Sequence, residues 1–172
     1  MPDESRIKLK VRKCYTDDVF SLWDVNRKDI DLFIGQANTF HPTIKFTAEI
    51  SEKDITFLDT VVYKSERFLI EAILNVKTPY KPTETFQYTH YPFCHPPGVN
   101  RGLIKGEAIR LLRTNSLEKN FQEVMSNFKT RHEARGYPKN LIESTLSEVS
   151  FAGRQSALKK QTKQTKGKLC LL

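Results

Sequence analysis

Hydrophobic and polar positions change their period about halfway along this chain. Near the start, Ile7, Leu9 and Val11 alternate with Lys8, Lys10 and Arg12, the two-residue period of a strand with one buried face. The pattern predicts a strand that ends near Cys14. Tyr15-Thr16-Asp17-Asp18 then supplies turn chemistry, and Val19-Phe20-Ser21-Leu22-Trp23 resumes as a second strand, giving a hairpin with both aspartates at its tip. Ile30, Phe33, Ile34, Ala37 and Phe40 recur at steps of three and four, an amphipathic helix that Asp24 or Asn26 caps and His41-Pro42 ends. Ile44, Phe46, Ala48 and Ile50 alternate again and predict a half-buried strand. Ile55, Phe57, Asp59, Val61 and Tyr63 share one parity, and Lys64-Ser65-Glu66 offers a turn into a further strand over residues 68–75. The simplest arrangement of these segments is a small antiparallel sheet with one packed helix.

Pro79, Pro82, Pro92, Pro96 and Pro97 crowd the next stretch, which cannot hold a regular ladder and is expected to be an extended connector over residues 77–100. Helical stripes follow. Ile104, Ala108, Leu111 and Leu112 form one, Phe121, Val124, Met125 and Phe128 a second, and Leu141, Ile142 and Leu146 a third. Ser116 is placed to cap the second helix, Gly136 to terminate it, and Pro138 suits the first turn of the third. From about Ala152 the apolar periodicity stops, so residues 151–172 are expected to be a disordered basic tail. The fold class is therefore α+β: a sheet-bearing region over residues 1–76, the connector, a three-helix region over 101–150, and the tail.

Charge sharpens this division. Of a formal net charge of +8, six positives come from Arg154, Lys159, Lys160, Lys163, Lys166 and Lys168, with no acid after Glu148. Such a balance favours a polyanionic partner, and the Lys-rich end suits nucleic acid or an import receptor. Cys14, Cys94 and Cys170 form neither a CxxC pair nor a disulfide framework, which points to a reducing, intracellular setting in nucleus or cytoplasm. Neither a leader-like apolar segment nor a membrane-length one is expected, and no small-molecule cofactor is implied.

Three groups of residues could carry chemistry. Asp17 and Asp18 form an adjacent carboxylate pair after Tyr15; Mg²⁺ favours such oxygens, and two-metal nucleotidyl transfer uses them to activate a hydroxyl and steady the leaving group. Two carboxylates seldom suffice alone, and Asp-Asp is also ordinary turn chemistry. Asp59, Glu49 and Glu71 are the nearby acids, and on a half-buried strand such residues are normally solvated. Second, Arg101, Lys105, Arg110 and Arg113 accompany the first helical stripe, with Lys81 before it; they would either neutralise phosphates or form a solvated face. Third, His90, Cys94 and His95 lie close together but lack a fourth ligand at zinc-finger spacing. Tyr80, Phe86, Tyr88, Tyr91 and Phe93 would either stack on bases or pack in a hinge.

Several blocks in order give these groups a common context: Tyr15-Thr16-Asp17-Asp18-Val19-Phe20-Ser21-Leu22-Trp23, His41-Pro42-Thr43-Ile44-Lys45-Phe46-Thr47-Ala48-Glu49, Ile55-Thr56-Phe57-Leu58-Asp59-Thr60, Lys81-Pro82-Thr83-Glu84-Thr85, Gln87-Tyr88, Cys94-His95-Pro96 and Arg135-Gly136-Tyr137-Pro138. Over roughly residues 12–150 they resemble Penelope-like retroelement reverse transcriptases. The resemblance implies a palm remnant over 1–76 and a thumb-like, helix-turn-helix-like region over 101–150. It also implies Asp17 and Asp18 as Mg²⁺ ligands, Tyr15 near a primer terminus, and an RNA template with a DNA primer as partners. The chain departs from the family pattern at Cys14, where an arginine is usual. A first palm aspartate and fingers, expected ahead of the tyrosine, have no counterpart in the 14 residues before Tyr15. The isolated chain is therefore expected not to polymerise. Two other readings stand beside this one: a non-enzymatic nucleic-acid-binding module of helix-turn-helix type, and an inert retroelement remnant.

Overall fold

The computed structural model describes residues 9–80, 85–93, 95–96 and 98–159. It is an α+β arrangement of small antiparallel sheets and helices, divided into two compact units, Met1–Phe57 and Leu58–Leu172. No helix among the described residues is long and apolar enough to cross a membrane.

In the first unit, β1 (Leu9–Tyr15) and β2 (Asp18–Trp23) pair antiparallel from Leu9 opposite Trp23 to Tyr15 opposite Asp18. The anticipated hairpin is present, with Thr16 and Asp17 as its two-residue loop. Its faces are barely buried: Leu9 is 39% exposed, and the ladder slips between Leu9 and Val11. α1 (Arg27–Ala37) starts at Asn26, whose side-chain oxygen accepts a hydrogen bond from Asp29 N at 3.0 Å. Ile30 is buried, and Phe33 packs on Trp23 with ring centroids 5.0 Å apart.

The helix stops at Ala37, before Phe40, and Asn38 caps it with its N–H on Ile34 O at 3.0 Å. Its side chain accepts from Phe46 N at 2.5 Å and donates to Phe46 O at 3.0 Å. That bracket accounts for the first correction: residues 44–50 form no strand, and Ile44 and Phe46 are 52% and 51% exposed. Alternation supplies a face, but a ladder also needs a partner to take its N–H and C=O groups; here the Asn38 amide takes those of Phe46. β3 (Asp54–Phe57) closes the unit, with Phe57 5.5 Å from Phe20 between ring centroids.

The second unit opens on a turn at Leu58 and Asp59, with Leu58 at φ +54°. Asp59 thus belongs to a turn and to no strand. β4 (Thr60–Tyr63) follows, and then a second correction: residues 66–71 form a helix, α2 (Glu66–Glu71), which takes up the first half of the strand expected over 68–75. Arg67 and Glu71 join its turns at 2.6 Å, and Ala72 ends it in the left-handed region at φ +54°. Leu69 and Ile70 are both 84% exposed. The apolar run that suggested a strand therefore buries little.

β5 (Asn75–Lys77) pairs antiparallel with β4, Val62 opposite Val76. It is fixed on its other side by the junction between the first two long helices, α3 (Val99–Thr114) and α4 (Glu118–Ala134). Ser116 N donates to Val76 O and Val76 N donates to Ser116 Oγ, each at 2.9 Å. Ser116 therefore does not cap α4 as expected; its hydroxyl is used on β5, and Leu117 takes the cap position without a side-chain bond.

Helix α5 (Lys139–Leu146) completes the core. All four residues of the first stripe, Ile104, Ala108, Leu111 and Leu112, are buried, with Phe121, Val124 and Phe128 from the second and Ile142 from the third. Tyr137 seals the turn between α4 and α5, and Tyr88 packs against the same cluster. Gly136, at φ +79°, follows α4 in the conformation that glycine adopts without cost, and Pro138 sits one position ahead of α5.

The chain stays ordered past 150, the third correction. A 3-10 turn over Phe151–Gly153 leads into α6 (Arg154–Leu158). Arg154 donates to Leu112 O and Arg113 O, each at 3.2 Å, while Arg113 donates to Ala157 O at 2.7 Å. Polar bonding to the carbonyls at the end of α3, with Phe151 5.8 Å from Phe121 between ring centroids, holds this segment without an apolar period. The rest of the anticipated tail, from Lys160 on, lies outside the described residues.

Candidate nucleic-acid interface

The candidate interface consists of a helix, a turn and a helix. α4 runs for 17 residues, residues 135–138 turn the chain, and α5 adds 8 more. The turn is over-determined. Tyr137 N and Arg135 N both donate to His132 O, at 3.2 and 3.0 Å, and Gly136 N donates to Glu133 O at 3.0 Å. Arg135 O in turn accepts from Tyr91 N at 3.1 Å, pinning the connector beside it. A short Gly-containing link between two packed helices is the form of a helix-turn-helix pair, whose second helix presents its N-terminal residues outward. In this chain those residues are Lys139 and Asn140, both exposed.

Buried beneath the turn is His132, 3% exposed, among the rings of Phe128, Tyr88 and Tyr137 at 4.1, 4.4 and 4.9 Å. Its Nδ1 is 3.1 Å from Phe128 O, which makes it the donor and fixes the neutral tautomer. Burial pushes the imidazole below its usual value, only partly offset by the Phe128 carbonyl. His132 continues the stripe of Phe121, Val124 and Phe128 by one four-residue step, so its spacing places it on the buried face and only its polar side chain hid it.

The anticipated cations are not brought together as a free basic face. Arg101 and Lys105 both donate to the Glu148 carboxylate, Lys105 at 2.6 Å, and these two hydrogen bonds hold its carboxyl below the ordinary range. Arg110 forms a fork on Glu107, donating at 2.9 and 2.6 Å, with Asp59 3.9 Å away; its bonds to the Glu107 carboxylate raise its already high value further. Arg113 donates to Ala157 O. Lys81 lies outside the described residues. Glu148 is the residue that sequence reasoning missed, since a contact across 47 positions leaves no local signal.

The aspartate pair belongs to the first unit. Tyr15 ends β1 and is 64% exposed, Asp17 lies in the loop, and Asp18 begins β2; both acids face solvent. Thr16 holds φ +54°, a conformation that a β-branched residue adopts only under constraint. The two carboxylates are hard oxygen donors open to solvent, so they suit part of a Mg²⁺ shell. No group of three His, Cys, Asp or Glu side chains converges among the described residues.

Of the His-Cys-His group, His90 Nε2 accepts from Arg135 at 2.7 Å, and Cys94 lies outside the described residues. His95 Nε2 is buried without a hydrogen-bond partner among the described residues. Tyr80 and Phe86 lie under the Arg131 guanidinium, 4.8 and 3.2 Å from their ring centroids.

Comparison with curated proteins and with solved structures gives no match. The family model of the animal helix-turn-helix domain matches residues 87–147, the segment that carries α3, α4 and α5.

Proposed function

We propose that this chain is a nucleic-acid-binding module of helix-turn-helix type. The observation that carries the reading is the α4–turn–α5 pair, with Lys139 and Asn140 exposed at the start of its second helix, inside the segment that the family model matches. In such a pair the second helix approaches a groove while cations on neighbouring helices neutralise phosphates. Lys139 and Asn140 would make the closest approach. Arg101, Lys105 and Arg113, with Lys81, are the cations for backbone contact, Arg101 and Lys105 by exchanging Glu148 for phosphate, while Arg110 stays with the Glu107 and Asp59 carboxylates beside it. Filter binding of duplex and single-stranded oligonucleotides across a salt series tests this. Affinity is expected to fall steeply with salt, to drop with Lys139→Glu, and to survive Asp17→Asn combined with Asp18→Asn. Salt-independent binding, or binding untouched by Lys139→Glu, would refute it.

The exposed hairpin tip favours a second reading, that the module descends from a Penelope-like reverse transcriptase and keeps part of its metal site. Asp17 and Asp18 would hold Mg²⁺ weakly, and Tyr15 would sit beside a primer terminus. When bound, Mg²⁺ would supply activation of a 3′ hydroxyl on a DNA primer paired to an RNA template. Two carboxylates leave the cage short of a donor, so the chain by itself is expected to extend no primer. Primer extension on an RNA template in Mg²⁺ tests this, and synthesis abolished by Asp17→Asn would show the centre to be complete.

A further inference from the structure

A cavity of about 510 Å³ opens between the end of β5 and helices α3 and α4, with Asp59, Tyr80, Phe86, Tyr88, Glu107 and Arg110 in its walls. Its size lies within the range of sites that enclose a small ligand, about 300–1,000 Å³. Much of it lies outside the segment matched by the family model: Asp59, Tyr80 and Phe86 all precede residue 87.

The aromatic wall is braced by its own contacts. Tyr80 and Phe86 meet edge to face with centroids 5.4 Å apart, and Arg131 rests on both rings. Phe86 keeps φ +48°, a strained conformation for a bulky residue, of the kind that gathers at ligand clamps. The backbone leading to Tyr80 is anchored at Thr78, whose N–H donates to Asn115 Oδ1 at 3.2 Å and whose hydroxyl lies 2.7 Å from that of Thr114. Burial raises the phenols of Tyr80 and Tyr88, so both stay neutral donors at physiological pH.

The polar wall decides what fits. Glu107 and Asp59 place two carboxylates beside the Arg110 guanidinium, which disfavours a phosphate at this spot. A carboxylate that accepts and a guanidinium that donates, set beside aromatic rings, suit an uncharged planar heterocycle with both kinds of polar atom on its edge. A duplex offers no such ring, because its bases are stacked and paired; a single strand does.

We propose that this cavity takes one unpaired nucleobase of a single-stranded nucleic acid, its ring against Tyr80 and Phe86 and its polar edge toward Glu107 and Arg110. The inference rests on the nucleic-acid reading above and adds the class of group recognised. Its test compares the full chain's affinity for a short mixed-sequence single strand with that for an abasic strand of equal length. Base-to-aromatic stacking gives the first at least about fivefold tighter binding. Tyr80→Ala, at a residue 39% exposed and outside the buried core, removes that advantage and leaves the abasic affinity unchanged, whereas Tyr80→Phe keeps it. Equal wild-type affinity for the two strands overturns the cavity assignment while sparing salt-dependent binding. Equal weakening of both strands by Tyr80→Ala overturns it as well, and no binding of either strand at low salt overturns both the assignment and the reading beneath it.

Discussion

Thr78 and Asn115 hold each other across 37 positions: Thr78 N donates to Asn115 Oδ1 at 3.2 Å, and Asn115 Nδ2 donates to Thr78 Oγ1 at 2.8 Å. Asn115 is fully buried, and its amide also donates to Leu111 O at 2.8 Å. The pair joins the end of β5 to the end of α3, beside the backbone bond from Ser116 N to Val76 O. Asn115→Ala would leave the Thr78 N–H buried and unpaired, at a cost of roughly 1–3 kcal/mol. Urea unfolding measures it. A loss well below that would mean water replaces the amide.

Protonation of His132 gives a second prediction, and its sign follows from burial. The folded chain holds this imidazole below its usual value, so the unfolded chain binds the proton more readily. Stability from this group is complete above pH about 6.5 and is lost as pH falls through and below that value. Urea midpoints of the wild type should therefore decline from pH 7 to pH 5, and His132→Phe should flatten that decline. An equal slope in both proteins would assign the acid sensitivity elsewhere.

Glu148 competes with any phosphate for Arg101 and Lys105, since it already accepts from both. Under the binding proposed above, Glu148→Gln frees two cations. Tighter binding at low salt is expected, together with a steeper dependence on salt, by roughly 0.7–0.9 in log–log slope for each further phosphate neutralised. Unchanged slope in filter binding would remove Arg101 and Lys105 from the interface.

At the hairpin tip, Thr16 carries φ +54° between Tyr15 and Asp17. Replacing it with glycine relieves strain of about 1–3 kcal/mol and gives back about 0.4–1 kcal/mol to the unfolded chain's entropy. The β1 and β2 amides should then exchange with solvent more slowly. Faster exchange in Thr16→Gly would show that the threonine side chain stabilises the turn.

The helical half of this fold was legible in sequence and much of the rest was not, for a physical reason visible residue by residue. Ile104, Ala108, Leu111 and Leu112 lie on one helix, so their period alone identifies the buried face. Ile44 and Phe46 show an equally regular alternation, yet whether it becomes a strand depends on a neighbour that the segment does not encode. The run from Phe68 to Leu74 fits a strand by hydrophobicity, and a helix through the Arg67–Glu71 pair. In the candidate interface, the turn at Gly136 was readable from its glycine and proline. The engagement of Arg101, Lys105 and Arg113 was not, because each partner lies more than 40 positions away.

Arg154 and Arg113 give the helical region an end different from the one its match to the helix-turn-helix model suggests. The last turn of α3 relies on a side chain from 41 or 42 residues downstream for its carbonyls, and α6 is fastened by the reciprocal bond to Ala157. Trimming the polypeptide at residue 147 would thus strip this clasp from the bundle and leave the last carbonyls of α3 without the Arg154 guanidinium.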